Sequence, residues 1–296
     1  MTPREPLPSA RMAGPVAVVT DSTAYLDPAE CAERGITVVP LQVVISGRPY
    51  AEGLEVGPAD VADALRRWAP VTTSRPNPSA LLDAYEAAAR AGAEAIVSLH
   101  LSADVSGTVE AAQIAAREAP IPVEVVDSRS MGMGLGFAVL TASDTARRGG
   151  GLEEVASAAR ARAAGTTALF YVDTLEYLRR GGRVGAAQAL LGTALAVKPL
   201  LHLTQGRIEP LEKVRTASRA LARLQELALE AAAGAGEGAA VDVAVHHLAS
   251  PDRAESLASA LRDRLTGHGD VRVAEVGAVI GAHVGPGMIA VVVSPR

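Results

Sequence analysis

The segment Val16–Thr23 (VAVVTDST) sets the pattern that predicts the fold. Its four apolar residues, Val16–Val19, are followed at once by small polar ones, as is typical of a buried parallel strand whose carboxyl end faces a crevice. The next segment, Asp27–Glu30, is a helix start with Asp27 as N-cap and Pro28 in the first turn. Strand and helix patterns then alternate as far as residue 148, so the sequence predicts an α/β domain built on a parallel sheet.

The remaining elements follow from the same two patterns. We predict strands at 36–44, 95–101 and 123–126, and helices at 57–68, 79–91, 106–118, 130–148 and 152–164, with Ser79 and Ser106 as N-caps. From residue 168 the regular alternation of strand and helix ends. We predict strands at 168–172, 196–203, 241–247, 271–276 and 289–293 and helices at 218–232 and 253–265. The sequence therefore predicts a two-domain α/β protein. It has a disordered tail over residues 1–14, an N-terminal parallel-sheet domain over 15–165, and a C-terminal α/β domain over 166–296 with a mixed or antiparallel sheet.

Composition excludes several classes of protein. With 49% hydrophobic and 21% charged residues, the chain of 296 residues is not disordered as a whole. A net charge of −5 and an aromatic set of two Phe, one Trp and five Tyr argue against nucleic-acid binding, which needs a basic face and stacking rings. No apolar run reaches the length of about 18 residues that a membrane span needs, and the N-terminus lacks the apolar core of a signal peptide. We expect a cytoplasmic protein without stable membrane insertion.

Metal and cofactor motifs are also missing from the sequence. A lone cysteine, Cys31, rules out an intrachain disulfide and a cysteine-based zinc site, and no group of His, Asp and Glu has ligand spacing. Gly132–Phe137 (GMGLGF) resembles a dinucleotide-binding turn, but Phe137 stands where the third glycine belongs. No P-loop exists, because neither Lys198 nor Lys213 follows a glycine. We expect no metal and no cofactor.

Ser106 is the first candidate site residue. It lies in Asp104–Thr108 (DVSGT) between a predicted strand and a predicted helix, and parallel sheets bind ligands in such positions. A nucleophile elbow needs glycine two residues before the serine, and Asp104 occupies that position. The plain interpretation is an N-cap, and a capped helix start also forms a cradle for an anion. A hydrolase or acyltransferase that uses Ser106 with His283 stays open as the alternative.

Three further segments are candidates. Thr72–Pro76 (TTSRP) is predicted as a turn rich in hydroxyl groups. Tyr177–Arg183 (YLRRGGR) is either a flexible cationic loop suited to a carboxylate or phosphate, or a solvated helix end. Gly281–Gly287 (GAHVGPG) places a lone histidine in a predicted glycine-rich loop.

Taken together, these segments resemble the DegV family of bacterial proteins. The resemblance runs in the family's order from about residue 16 to the end, through 18–23, 72–76, 101–108, 126–128, 177–183, 198–199 and 281–287. It implies a fold of two α/β domains that bury one long-chain fatty acid in a tunnel between them. It also implies that the protein is not an enzyme: it presents the acid's carboxylate to a separate fatty acid kinase subunit, which forms acyl phosphate with ATP.

The resemblance also implies which residues hold the carboxylate. Thr73 and Ser106 bind it, and the residues near the head group are Ser74, Gly107, Thr108, Arg180 and His283. Arg75 stands where the family usually has glutamine, which changes the local charge but leaves Thr73 in place. A third interpretation is a sensor or scaffold that holds a structural lipid.

Overall fold

The computed structural model describes residues 14–190, 198–236, 238–265 and 268–296. The predicted tail lies outside the described residues except for Gly14. The first part of the chain forms β1 (Val16–Asp21), α1 (Pro28–Arg34), β2 (Ile36–Val39), β3 (Gln42–Ile45), β4 (Arg48–Ala51), α2 (Pro58–Arg66), β5 (Val71–Ser74), α3 (Pro78–Arg90), β6 (Ala95–His100), α4 (Thr108–Ala116), β7 (Val123–Asp127), α5 (Met133–Arg147) and α6 (Leu152–Ala164).

The second part begins a new sheet. Its elements are β8 (Thr167–Tyr171), α7 (Glu176–Arg180), β9 (Lys198–Thr204), β10 (Arg207–Val214), α8 (Ala217–Gly234), β11 (Val241–His247), α9 (Pro251–Arg264), β12 (His268–Glu275), α10 (Ala278–Val284) and β13 (Ile289–Pro295). Short 3-10 helices occur at Ser22–Ala24 and Gly185–Leu190. The first two residues of the predicted strand at 196–203 lie outside the described residues.

A parallel sheet of four strands forms the centre of the first part, as predicted. Its order is β2-β1-β6-β7, and every neighbouring pair is parallel. Alternate residues point to opposite faces: Val18 packs in the cluster with α5, and Val19 packs in the cluster with α3 and α4. Because helices cover both faces, the strands are apolar on both sides, and this is why they appear as unbroken apolar runs in the sequence.

A small antiparallel sheet in the same part was not predicted. Its order is β4-β3-β5, and it separates β3 from β2, although the sequence predicted one strand over 36–44. Pro40 lies between the two strands and has no amide hydrogen to continue a ladder. Thr72–Pro76 was predicted as a turn, but Thr73 belongs to β5 and pairs with Val43. That prediction was wrong because β5 is short and half exposed, which leaves only a weak apolar pattern.

Both predicted serine caps were wrong. Helix α3 is capped by Asn77, whose Oδ1 accepts a hydrogen bond from the Ser79 amide, and Pro78 occupies the first helical position. Helix α4 begins at Thr108 with Gly107 as N-cap, and no side chain makes a capping hydrogen bond there. Ser106 therefore lies one residue before the cap.

The second part is built on a mixed sheet of six strands, as predicted. Its order is β10-β9-β8-β13-β11-β12, and only β11 and β12 are parallel among the pairs described. Helices α8 and α9 cover one face, while α10 and residues of the first part cover the other. Strand β10 and helix α10 were not predicted. The boundary at residue 165 stays a prediction, although the two large sheets divide the chain between β7 and β8.

Within the described ranges, no helix is both long and apolar enough to cross a membrane. The same residues contain no group of three or more side chains suited to hold a metal ion.

Candidate ligand-binding site

A cavity of about 240 Å³, called the outer cavity below, lies where β5, the loop after β6 and helix α10 meet. Its polar lining consists of Thr73, Ser74, Arg75, Ser106, Gly107, Arg183 and His283. Its apolar lining consists of Leu41, Leu101, Val105, Met131, Leu178, Ile208, Val279, Ile280 and Val284. The fold thus brings Thr73, Ser74, Ser106, Gly107 and His283 to one cavity, as expected from the sequence. Their part in binding a carboxylate stays a prediction.

A second space of about 50 Å³, the inner compartment, adjoins the outer cavity. The two share the side chains of four residues: Met131, Ile208, Ile280 and Val284. Its other walls come mainly from β8 and β13 and are apolar apart from His246: Gly132, Ala168, Leu169, Phe170, Leu203, Val276, Met288, Ala290 and Val292. These four side chains therefore lie between a cavity with polar groups and an apolar space beside the six-stranded sheet.

His283 connects helix α10 to strand β5 through its contact with Thr73. Its Nε2 lies 2.8 Å from Thr73 Oγ1, and its Nδ1 is buried with no hydrogen-bond partner among the described residues. Gly181 lies against Nδ1, and a Cβ at that position would collide with the ring. Burial and the charge of Arg183 lower the pKa of His283 to about 4, so the ring is neutral near neutral pH. The sequence predicted a loop here, but His283 lies in the last turn of α10.

Ser106 is held by the loop that follows β6. Its amide donates to Ser102 O, and Ser102 Oγ donates to Gly206 O, which ties this loop to the second part of the chain. The Ser106 hydroxyl lies 2.9 Å from Thr108 Oγ1, so the buried Thr108 contacts the site through Ser106 without lining the cavity. Gly107, the N-cap of α4, lines the cavity and makes no side-chain capping hydrogen bond to the first amides of that helix.

Arg75 lies across the first turn of α4. Its Nη1 donates to Glu110 at 2.6 Å, and a Cβ at Gly107 would lie 3.0 Å from its Cδ. Arg75, which stands where the family usually has glutamine, thus forms an ion pair with Glu110. That carboxylate offsets its positive charge near Thr73 and Ser106.

Arg183, rather than the predicted Arg180, lines the outer cavity. Arg180 donates to Glu176, lies over the Trp68 ring with 4.8 Å between Cζ and the centroid, and is half exposed. Arg183 donates to the carbonyl oxygens of Val105 and Gly181. Helix α7 ends at Arg180 and Gly182 has φ +70°, so the chain turns and only the third arginine of the motif points back to the cavity.

A buried polar chain supports the loop that carries Ser106. Asp21 Oδ2 accepts from His100 Nδ1 and from the Leu101 amide, both at 3.0 Å. His100 Nε2 contacts Ser98 Oγ, which in turn contacts the Tyr85 hydroxyl, each at 2.8 Å. All four side chains are buried. Ser98 and His100 are fully buried, so we interpret the set as a support for this loop. No local pattern in the sequence indicates it, because its members are far apart in the chain.

The hydrolase alternative needs a hydrogen bond between Ser106 and His283, which line the same cavity. The Ser106 hydroxyl is bonded to Thr108, and His283 Nε2 is bonded to Thr73. No hydrogen bond joins Ser106 to His283 within the part of the chain that the structure describes, so the nucleophile–base pair that the alternative requires is not formed.

Glu52 anchors the start of helix α10. Its side chain is buried, Oε1 accepts from the Val279 amide at 2.7 Å, and Oε2 accepts from Ser22 Oγ. The Tyr25 hydroxyl lies 3.5 Å from Oε1. Burial raises the pKa of Glu52 to about 7. Helix α10 carries His283 in its last turn and forms part of the outer cavity wall. Glu52 therefore helps to position that wall by binding the first turn of the same helix.

The raised pKa of Glu52 makes stability depend on pH. The folded protein keeps the Glu52 proton up to about pH 7, whereas the unfolded chain releases it near its ordinary pKa of 4.5. Folding therefore takes up a proton in this interval, and the contribution of Glu52 to stability falls as pH rises. We expect the unfolding free energy of the wild type, relative to Glu52→Gln, to fall by about 2 kcal/mol from about pH 5 to pH 7.

Urea unfolding of both proteins at several pH values measures this difference. Glu55→Gln is the matched control, since Glu55 lies nearby but is exposed. A wild-type stability that stays parallel to that of Glu52→Gln across the interval would contradict the prediction.

Comparison with known proteins identifies close relatives of this chain. The DegV family model, described as "Uncharacterised protein, DegV family", matches residues 15–296. A DegV domain-containing protein of Streptomyces coelicolor is 62% identical over 282 residues, covering 95% of this chain and 99% of that protein. Protein DegV of Bacillus subtilis is 33% identical over 286 residues, covering 93% and 98%.

Solved structures share the fold. A DegV family protein from Thermus thermophilus, described with fatty acid binding, has a TM-score of 0.89 at 33% identity and covers 95% of this chain and all of its own. DegV of Bacillus subtilis, described as a fatty acid binding protein, has a TM-score of 0.88 at 32% identity and covers 96% of this chain.

Proposed function

This chain belongs to the DegV family, and from that membership we propose that it binds one long-chain fatty acid in the space beside its six-stranded sheet. The observation that supports the proposal is an outer cavity with polar groups on one side that adjoins an apolar inner compartment, with four lining residues in common. The fatty acid is a bound ligand, and the proposal includes no cofactor or metal.

The carboxylate binds in the outer cavity to the hydroxyl groups of Thr73 and Ser106. Because His283 Nδ1 has no partner among the described residues, the ring proton belongs on Nε2, where Thr73 Oγ1 accepts it. The Thr73 hydroxyl then keeps its own proton for the ligand. Arg183 supplies positive charge, and the amides at the start of α4, where the N-cap Gly107 makes no side-chain hydrogen bond, supply further donors.

The tail supplies most of the affinity. Burying one methylene contributes about 0.8 kcal/mol, so about fifteen carbons contribute on the order of 10 kcal/mol before the costs of ordering. The head group therefore serves mainly to orient the ligand, with its charge at the polar end and its chain toward Phe170 and Met288 of the inner compartment.

We expect Thr73→Ala combined with Ser106→Ala to weaken palmitate binding about tenfold, because two donors to a charged group are lost while the tail contacts remain. Native mass spectrometry of the purified protein, followed by titration with palmitate, measures occupancy and affinity. Thr72→Ala is the matched control, since Thr72 is exposed on the same strand and does not line the cavity. If the wild type neither co-purifies with an acyl chain nor takes up palmitate or oleate, the proposed function is wrong.

We further propose that the protein is the non-catalytic, lipid-presenting subunit of a fatty acid kinase system, whose catalytic subunit forms the acyl phosphate. A wide cleft of about 560 Å³ supports this role, because it adjoins the outer cavity and shares Val105, Ser106, Gly107, Arg183 and Ile208 with it. A partner can therefore reach the carboxylate from outside. Conversion of bound palmitate by a fatty acid kinase catalytic subunit with ATP tests this step. Lipid that stays bound without conversion would favour a sensor or scaffold instead.

A further inference from the structure

Ile208 borders three spaces of this protein. It lines the outer cavity, the inner compartment and the wide cleft of about 560 Å³, and no other described residue lines all three. Leu203, which pairs with Ile208 across the β9–β10 hairpin, also lines the inner compartment. Residues that pair directly across two strands point to the same face, so these two side chains form one wall of that compartment.

The end of this hairpin, residues 203–208, is called the hairpin tip below. It extends past the last strand pair that joins β9 to the rest of the six-stranded sheet. Strand β9 pairs with β8 as far as His202, which lies opposite Leu169, and within the described residues the last two positions of β9 pair only with β10. Strand β10 is the edge strand of the sheet. The hairpin tip therefore has no strand neighbour outside the hairpin itself in the part of the sheet that the structure describes.

The backbone of the hairpin has a break on one side of the tip and a tight turn at its end. The β9–β10 ladder loses its register between Pro210 and Glu212, and Pro210 has no amide hydrogen to donate. At the end, Gln205 and Gly206 have φ values of +48° and +87°, as a two-residue hairpin turn requires. This geometry allows the hairpin tip to move as one unit about the break.

Two polar contacts hold the hairpin tip against the loop that carries Ser106. Ser102 Oγ donates to Gly206 O at 2.8 Å, and Arg207 Nε donates to Asp104 Oδ1 at the same distance. The first contact is buried, whereas the Arg207 side chain is 70% exposed. An exposed ion pair is weak, so this contact can break and form again without unfolding of the sheet.

We propose that the hairpin tip is a gate for the acyl chain. When the contacts of Ser102 and Arg207 break, the tip moves away from the loop together with Ile208 and Leu203, and the inner compartment opens to the wide cleft. The chain then enters or leaves through the cleft, while the carboxylate stays near the polar groups of the outer cavity. The gate rests on the proposed function, since it acts only on a fatty acid that binds in these spaces.

A gate of this kind controls the rates of binding and leaves the affinity nearly unchanged. If opening precedes both entry and exit, a weaker contact at the tip raises the open fraction of the empty and the loaded protein by the same factor. Both rate constants then rise together, and their ratio, the Kd, stays the same. A residue that merely supports the binding site would change the Kd instead.

Stopped-flow exchange of cis-parinarate, a fluorescent long-chain fatty acid, measures both rate constants on the full chain. We expect Arg207→Gln to raise each of them about threefold and to leave the Kd unchanged within about a factor of two. Lys213→Gln is the matched control because it removes the same charge from the same strand. Lys213 is exposed, lies beyond the break in the ladder and lines none of the three spaces.

A covalent link across the contact should have the opposite effect. Asp104→Cys combined with Arg207→Cys places two thiols there for a short bismaleimide to join, and the native Cys31 is buried. We expect the linked protein to exchange parinarate about tenfold more slowly than the same variant capped with N-ethylmaleimide, because the gate can no longer open.

Failure of the gate is distinct from failure of the proposed function. A wild type that takes up neither parinarate nor palmitate contradicts the proposed function and, with it, the gate. A wild type that binds both, with a linked variant that exchanges as fast as the capped one, overturns the gate alone. So does an Arg207→Gln variant that changes the Kd and not the rates, or an equal rise of the rates in Lys213→Gln.

Discussion

Leucine in place of Ala290 is expected to weaken palmitate binding about 100-fold and to leave octanoate binding nearly unchanged. Ala290 lines the inner compartment and not the outer cavity, and the compartment measures about 50 Å³. The three additional carbons of the leucine side chain fill it, so the last three or four methylenes of palmitate lose their buried site at about 0.8 kcal/mol each. Octanoate is expected to fit within the outer cavity and serves as the internal control for folding.

Met288→Ala is the opposite variant at the same place. Met288 is buried and lines the inner compartment, so its truncation enlarges the space that Ala290→Leu fills. We expect the ratio of stearate affinity to myristate affinity to rise in Met288→Ala and to fall in Ala290→Leu. Fluorescence competition with a series of saturated acids measures both ratios. Parallel losses for octanoate and palmitate in Ala290→Leu would show that the chain does not enter this compartment.

Alanine in place of Asp21 is expected to lower the free energy of unfolding by about 3 kcal/mol or more. The Asp21 carboxylate is fully buried and accepts hydrogen bonds from His100, the Leu101 amide and both the amide and hydroxyl of Thr23. Removing it leaves these buried donors without acceptors, and each costs about 1–3 kcal/mol. The loop after β6 also loses the bond at Leu101 that positions Ser106, so palmitate affinity should fall as well.

Guanidinium unfolding compares this variant with Asp27→Ala. Asp27 is the exposed N-cap of α1 and accepts from the Ala29 and Glu30 amides, so its loss should cost only about 1 kcal/mol. Equal costs for the two variants would mean that the buried network contributes nothing beyond a helix cap.

Elements with strong local patterns could be predicted from the sequence. Helix α6 (Leu152–Ala164) and strand β11 (Val241–His247) agree with the prediction at both ends. Glycines flank α6, and β11 is an apolar run buried along nearly its whole length. Strands β5 and β10 could not be predicted, because Ile208 is the only buried residue among the twelve and their β structure depends on pairing with β3 and β9.

The candidate site, like the fold, could be predicted from the sequence only in part. Thr73, Ser106 and His283 could be named from a resemblance in short motifs. The resemblance did not indicate that Arg183 lines the outer cavity, because the end of α7 decides which arginine turns inward. Helix α10 was predicted as a loop, since it has seven residues, is apolar on nearly all sides and contains Gly281. Its start is held by Glu52, which is 227 residues away in sequence from the Val279 amide.

The sequence by itself determined the alternation of strands and helices, the parallel and mixed sheets, and the absence of a disulfide framework. These follow from periodicity and residue type over about ten neighbouring positions. Only the tertiary structure decided that Thr73 contacts His283, 210 residues away in sequence, and that the outer cavity and the inner compartment have four lining residues in common. Such contacts depend on how the sheets and helices pack against one another. Packing contacts between residues distant in sequence produce no periodic pattern in the sequence.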